Sequence, residues 1–139
     1  MNIKVQFLPK DLKEIGIIKK DGTPIVKFSS LDSLEPTMLE KFILAISSFS
    51  EELQGGMLKS LKLGKNKFFF EYLSDLELII FCMTDENIKE KKVQKTCQAI
   101  AEILKNYANV KEKGPKIINN LNFNGLKEKL TIYFKMSNL

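Results

Sequence analysis

Apolar and polar positions along the chain change period several times, and each change predicts an element. Ile3, Val5 and Phe7 alternate ahead of Leu8 and Pro9, which predicts a short leading strand within residues 1–7. Residues 14–19 and 25–28 are two further apolar runs around Lys20-Asp21-Gly22-Thr23-Pro24. Asp-Gly supplies the positive backbone angles of a tight turn, so these runs predict a hairpin. Pro24 has no backbone donor, which predicts a sheet-edge position for the second strand.

After a polar connection over residues 29–36, Thr37 and Glu40 fit a capping box, and a helix is expected over about 38–53. At about 100° per residue, Met38, Phe42, Ala45, Ile46, Phe49 and Leu53 form one stripe, which Leu39 and Ile43 widen to roughly 160°. The surplus edge is a candidate partner surface, or else the mark of a deeply seated helix. Gly55-Gly56 ends the helix.

Three strands with tight connections follow, at 57–63, 67–73 and 76–83, with turns at Gly64-Lys65-Asn66 and Ser74-Asp75. Lys59 and Lys62 in the first of them are what an exposed edge strand carries. The other two are apolar on both faces: Phe68 and Phe70 point one way and Phe69 the other, and Leu78 through Met83 is continuous. Such strands need cover on both sides, which predicts three layers with helices above and below an antiparallel sheet. A second helix is expected from near residues 85–87, with Asn87 and Glu90 as a capping pair, to about Tyr107. Its stripe of Val93, Cys97, Ile100, Ala101, Leu104, Tyr107 and Ala108 spans about 120°. After Gly114-Pro115, Leu126, Leu130, Tyr133 and Phe134 predict a final helix over about 126–136.

Composition narrows the chemistry. The 139 residues suit one globular domain, and all 22 basic residues are lysine, with no His, Arg or Trp. The usual general base, the commonest zinc ligand and the bidentate guanidinium fork are therefore missing. The net charge of +5 raises nucleic acid or an anionic membrane as partners. The lysines, however, are spread along the chain beside 17 acidic residues, as in the product of an AT-rich genome. The cluster Lys89, Lys91, Lys92 and Lys95 has Glu86 and Glu90 in the same turns and no interleaved aromatic stacking platform, so it reads as a solvated face. Cys82 and Cys97 lie in apolar patterns without metal-ligand spacing, which predicts buried free thiols, no metal and a reducing compartment.

No catalytic motif survives. Gly64-Lys65 lacks the spacing and the hydroxyl of a phosphate-binding loop, and Gly55-Gly56 follows a helix where a dinucleotide loop must follow a strand. Ser47, Ser48 and Ser50 have no histidine to activate them. The acidic pairs Glu51-Glu52, Asp75 with Glu77, and Asp85-Glu86 read as solvated surface or helix N-terminal charge, and none forms a calcium loop. With no apolar run long enough to span a membrane and no signal-peptide core, a cytoplasmic, non-enzymatic protein without a cofactor is expected.

The order strand, strand, helix, three strands, helix, helix resembles that of a longin domain and, more loosely, of the related roadblock family. Residues 15–26 resemble the opening hairpin, 42–56 the helix with its Gly-ended turn, and 67–70 and 78–81 the last two strands. The similarity covers about residues 12–136. It implies an α+β, three-layer fold over 12–139, with a five-stranded antiparallel sheet, one helix on one face and two on the other. Residues 1–11 form an N-terminal extension whose strand would extend the sheet or exchange between subunits. The Lys-rich, Arg-free composition resembles that of archaeal members. The resemblance further implies a dimerising scaffold or adaptor for small Ras-like GTPases, or for another longin or roadblock subunit in trafficking-type complexes, reaching membranes only through partners. It points to a partner surface on the first helix and the adjacent edge strand, with Leu39, Ile43, Ser47, Leu58 and Ser60 as its residues. The competing readings are a basic nucleic-acid-binding module, which would lose affinity steeply with salt, and a small-molecule sensor, which would need a pocket where four large phenylalanines instead suggest a filled core.

Overall fold

The computed structural model describes residues 2–5, 8–9, 11–30, 45–46, 48–111 and 123–137. The strands are β1 (Asn2–Val5), β2 (Leu12–Lys19), β3 (Pro24–Ser30), β4 (Ser60–Leu63), β5 (Asn66–Leu73) and β6 (Leu78–Asp85). The helices are α1 (Ser50–Gln54), α2 (Glu90–Lys111) and α3 (Phe123–Ser137). The strands form one sheet in the order β1-β3-β2-β6-β5-β4. The leading strand therefore extends the sheet, which has six strands where five were expected, and it pairs with β3 in parallel. All other pairings are antiparallel.

The β2–β3 hairpin follows its turn chemistry. Gly22 sits at φ 94°, and hydrogen bonds to the Asp21 carboxylate from the Thr23 side chain and from the Thr23 N–H, the latter at 2.9 Å, hold that carboxyl below its usual range. A Cβ at Gly22 would lie 2.6 Å from Ile46, so the turn also packs under the helical segment. Strand β3 is not the outermost strand, because β1 covers residues 27–30. Pro24 lies beyond that overlap, at the strand's first residue, where a missing donor costs nothing.

Alternation along β5 and β6 sends side chains to two cores. Phe69, Leu78, Ile80 and Cys82 join Ile15, Ile17 and Phe28 beneath α2 and α3, which contribute Val93, Cys97, Ile100, Leu104, Leu126, Leu130 and Phe134. Phe68, Phe70, Ile79, Phe81 and Met83 face the other way, onto Ile46, Leu53 and Leu58. The three layers, one helix against two, follow from that double burial.

Several boundaries differ from expectation for local reasons. Within the first expected helix, Ala45, Ile46 and Ser48 are helical, Phe49 breaks the run at φ −116° and ψ 20°, and α1 follows. The rest of that helix, with Leu39, Ile43 and Ser47, lies outside the described residues. Strand β4 begins three residues late because the N–H groups of Met57 and Leu58 bond to the Glu52 carbonyl at the helix C-terminus, with Gly56 at φ 72° making the reversal. Asn66 belongs to β5 rather than to the turn, and residues Ser74–Leu76 form a 3₁₀ turn closed by Glu77 at φ 54°, so β6 starts at Leu78. Helix α2 starts at Glu90, which leaves Asn87 too far upstream to cap it.

Candidate interaction surface

The sheet ends in β1 on one side and in β4 on the other; β4 is only four residues long, with Ser60 and Lys62 exposed and Leu61 and Leu63 half-buried. The Phe70 N–H donates to the Lys59 carbonyl at 3.1 Å, which makes Lys59 and Phe70 a hydrogen-bonded pair. Since Ser60 pairs with Phe69 and Leu61 with Phe68, alternation turns the main-chain groups of Ser60 and Lys62 outward. Short length and lysine side chains are how sheets discourage unplanned pairing at such an edge. Met57, 67% exposed, lies just before it.

Of the five residues expected at a partner surface, Ser60 is exposed on this edge. Leu58 is buried against Ile46, Leu53 and Phe68, so its side chain belongs to the core. Its carbonyl accepts the Tyr72 hydroxyl at 2.5 Å. Burial pushes the Tyr72 phenol up to about 12, against the lowering effect of that hydrogen bond. Leu39, Ile43 and Ser47 lie outside the described residues.

Several lysines are matched within the chain. Where the β4–β5 turn, the end of β6 and the start of α2 meet, Lys13 pairs with Asp85 at 2.7 Å, Lys62 with Glu86 at 2.8 Å and Lys67 with Glu90. Lys92 of the expected solvated face reaches Asp11 at 3.5 Å. These cations are matched by carboxylates of the chain itself, which removes them from a phosphate-binding stripe. Lys59, by contrast, borders a surface groove of about 400 Å³ between α2 and the β5 end not covered by β4. There the Lys59 ammonium lies 5.8 Å from the centre of the Tyr72 ring, and Glu71 is half-buried on the α2 side. Among the described residues neither has a salt-bridge partner. Sequence reasoning placed Lys59 on an edge but missed Glu71, whose signal was a charge directly after three phenylalanines.

A second charged feature that the periodicity did not reveal is internal. Glu14 and Lys27, both nearly solvent-free, form an ion pair at 3.1 Å on the α1 side of the sheet. The thiols Cys82 and Cys97 are free and buried, as expected. A hydrogen bond with Cys97, together with burial, raises the Cys82 thiol well above its usual range and keeps it unreactive. Among the described residues no cluster of three metal-ligating side chains occurs, and no helix is long and apolar enough to cross a membrane.

No protein-family model and no curated protein matches this sequence. Among solved structures, one described as "MglB with tetrameric arrangement" is similar at 10% identity and a TM-score of 0.41, over 91% of this chain and 79% of that one. The chain itself is a mixed α+β protein whose six-stranded sheet is covered on both faces and ends, on one side, in a short lysine-bearing strand.

Proposed function

We propose that this chain is a non-enzymatic, longin-like interaction domain: a dimerising scaffold or adaptor that binds or regulates small Ras-like GTPases, or serves in trafficking-type complexes, in the cytoplasm. The observation that carries the reading is the order of elements that follows the leading strand β1, namely two strands, a helical segment, three strands and two helices around one sheet, which is the order of that family. The proposed contact surface is the helical segment before Gly55 together with the outer side of β4, with Leu39, Ile43, Ser47 and Ser60 at its centre. Leu58 supports it from beneath. Two copies, or this chain and a related subunit, join β4 strands across a two-fold axis and continue the sheet.

Because the chain has no arginine, it supplies no arginine finger, and any stimulation of hydrolysis positions the GTPase's own groups. The test is a pull-down with Ras-like GTPases in their GDP- and GTP-bound states, alongside ultracentrifugation of the chain alone. Retention of a GTPase in one state supports the reading, and a strict monomer at high concentration defeats the homodimer. Lys62→Pro removes an outward N–H without touching the β4–β5 ladder, so it should abolish edge pairing with the circular dichroism unchanged. Ile43→Glu should dissociate the assembly in the same way.

A further inference from the structure

Strand β5 runs to Leu73, whereas its outer partner β4 covers it only from Asn66 to Phe69, with one further hydrogen bond from Phe70 to Lys59. Phe70 faces β4 with its main chain, so Tyr72, two residues on, turns its N–H and C=O to the same outer side, past the end of β4. The edge there is a slot of about one hydrogen-bonded pair, opening into the groove of about 400 Å³. Cys97 and Phe69 line its floor, and the exposed amides of Gln94 and Gln98 stand on the α2 side.

Charge decides what fits. Glu71 pairs with Ile80, whose side chain faces α2, so the carboxylate lies on the α2 side of the slot. Lys59 lies over the Tyr72 ring, which packs against the α1-side core. The slot thus has a carboxylate on one rim and an ammonium on the other, neither matched by an opposite charge among the described residues, whereas Lys62 and Lys67 near the other end of β5 are matched. We propose that the open β5 edge takes an extended segment of a partner protein as an added antiparallel strand, with a basic side chain opposite Glu71 and a neighbouring acidic side chain beside Lys59. Adjacent residues of a strand point to opposite faces, and because the added strand runs in the direction of β4 and Lys59 already stands opposite Phe70, an acidic residue opposite Tyr72 followed by a basic one opposite Glu71 serves both rims at the C-terminal end of the segment. Side chains directly opposite across antiparallel strands lie about 5 Å apart, within reach of a lysine–glutamate pair. This site is separate from the outer side of β4 and holds whether or not β4 pairs with anything.

The test uses the full ¹⁵N-labelled chain and a blocked hexapeptide of valine and threonine that ends in glutamate–lysine. Amide shifts should move at Phe70, Glu71, Tyr72 and Leu73 and at the side chains of Gln94 and Gln98. Glu71→Lys should weaken the peptide about fivefold, in line with a cross-strand charge pair, and changing the peptide's lysine to glutamate should restore affinity for that variant. Should Glu71→Lys lose the native spectrum, Lys59→Glu makes the same comparison with the peptide's glutamate changed to lysine. The proposal is overturned by an absence of shift changes, by changes confined to Ser60–Leu63, or by affinity indifferent to the charge swap. It also falls if the same shifts appear on concentrating the chain without peptide, since a second copy then fills the slot.

Discussion

The two faces of the sheet draw on the same strands but are closed by different means. Under α2 and α3, the row Phe28, Ile15, Cys82 and Phe69 runs across β3, β2, β6 and β5, entirely apolar. One residue along, the row on the α1 side reads Lys27, Gly16, Phe81 and Phe70. The next reads Ser29, Glu14, Met83 and Phe68. The first face is filled by two long helices and has little need for special geometry. Among the described residues the second is filled largely by the sheet's own phenylalanines, and the Phe81 ring lies where a side chain on residue 16 would stand: a Cβ there would be 2.0 Å from the ring. Burial is thus reached by helix side chains on one face and, on the other, by a ring over a glycine with a buried ion pair beside it.

If that contrast is right, substitutions on the α1 side are the more damaging. Lys27→Met leaves Glu14 buried without its partner and should cost about 4 kcal/mol in a urea melt, whereas the double variant Glu14→Leu with Lys27→Met should recover most of it. Recovery that fails would mean that the pair is held by more than mutual charge. Gly16→Ala, a change of one methyl group, should cost about 3 kcal/mol because Phe81 must leave its rotamer or the strands must part. A cost near zero would show that the ring moves freely and would erase the difference between the faces. On the helical side, Ile100→Val should cost about 1 kcal/mol.

The smallest effect is confined to alkaline pH. Folding raises the Tyr72 phenol from its ordinary 10 to about 12. The unfolded chain therefore gives up that proton first, and the corresponding stability, complete below pH 10, is lost as pH rises towards 12. Tyr72→Phe should remove that alkaline decline while also losing the hydrogen bond to Leu58, so its denaturation midpoint should fall slightly at pH 7 and change less than that of the parent between pH 10 and 12.

Much of this fold was legible as pattern. The two-sided apolar runs of β5 and β6 required helices on both faces, and the Asp21-Gly22 turn and the stripe of α2 follow from backbone angles and helical period alone. The boundaries that moved did so through hydrogen bonds the period does not report: Met57 and Leu58 are held by the Glu52 carbonyl, which delays β4 to Ser60. The candidate surface was legible only as a kind of place, an edge strand marked by lysines. Which of its residues are free was not, since Leu58 fits the strand pattern yet belongs to the core.

The sequence by itself determined the type and order of the elements, the need for three layers and the absence of histidine and arginine, because periodicity and composition are local properties. Tertiary structure alone decided that the leading strand joins β3 in parallel, that Glu14 finds Lys27, and that Lys59 and Glu71 are left facing an open slot where β4 stops short of β5. Those outcomes depend on which strands become neighbours and in what register, and a charge's worth depends on the distance and burial of its partner.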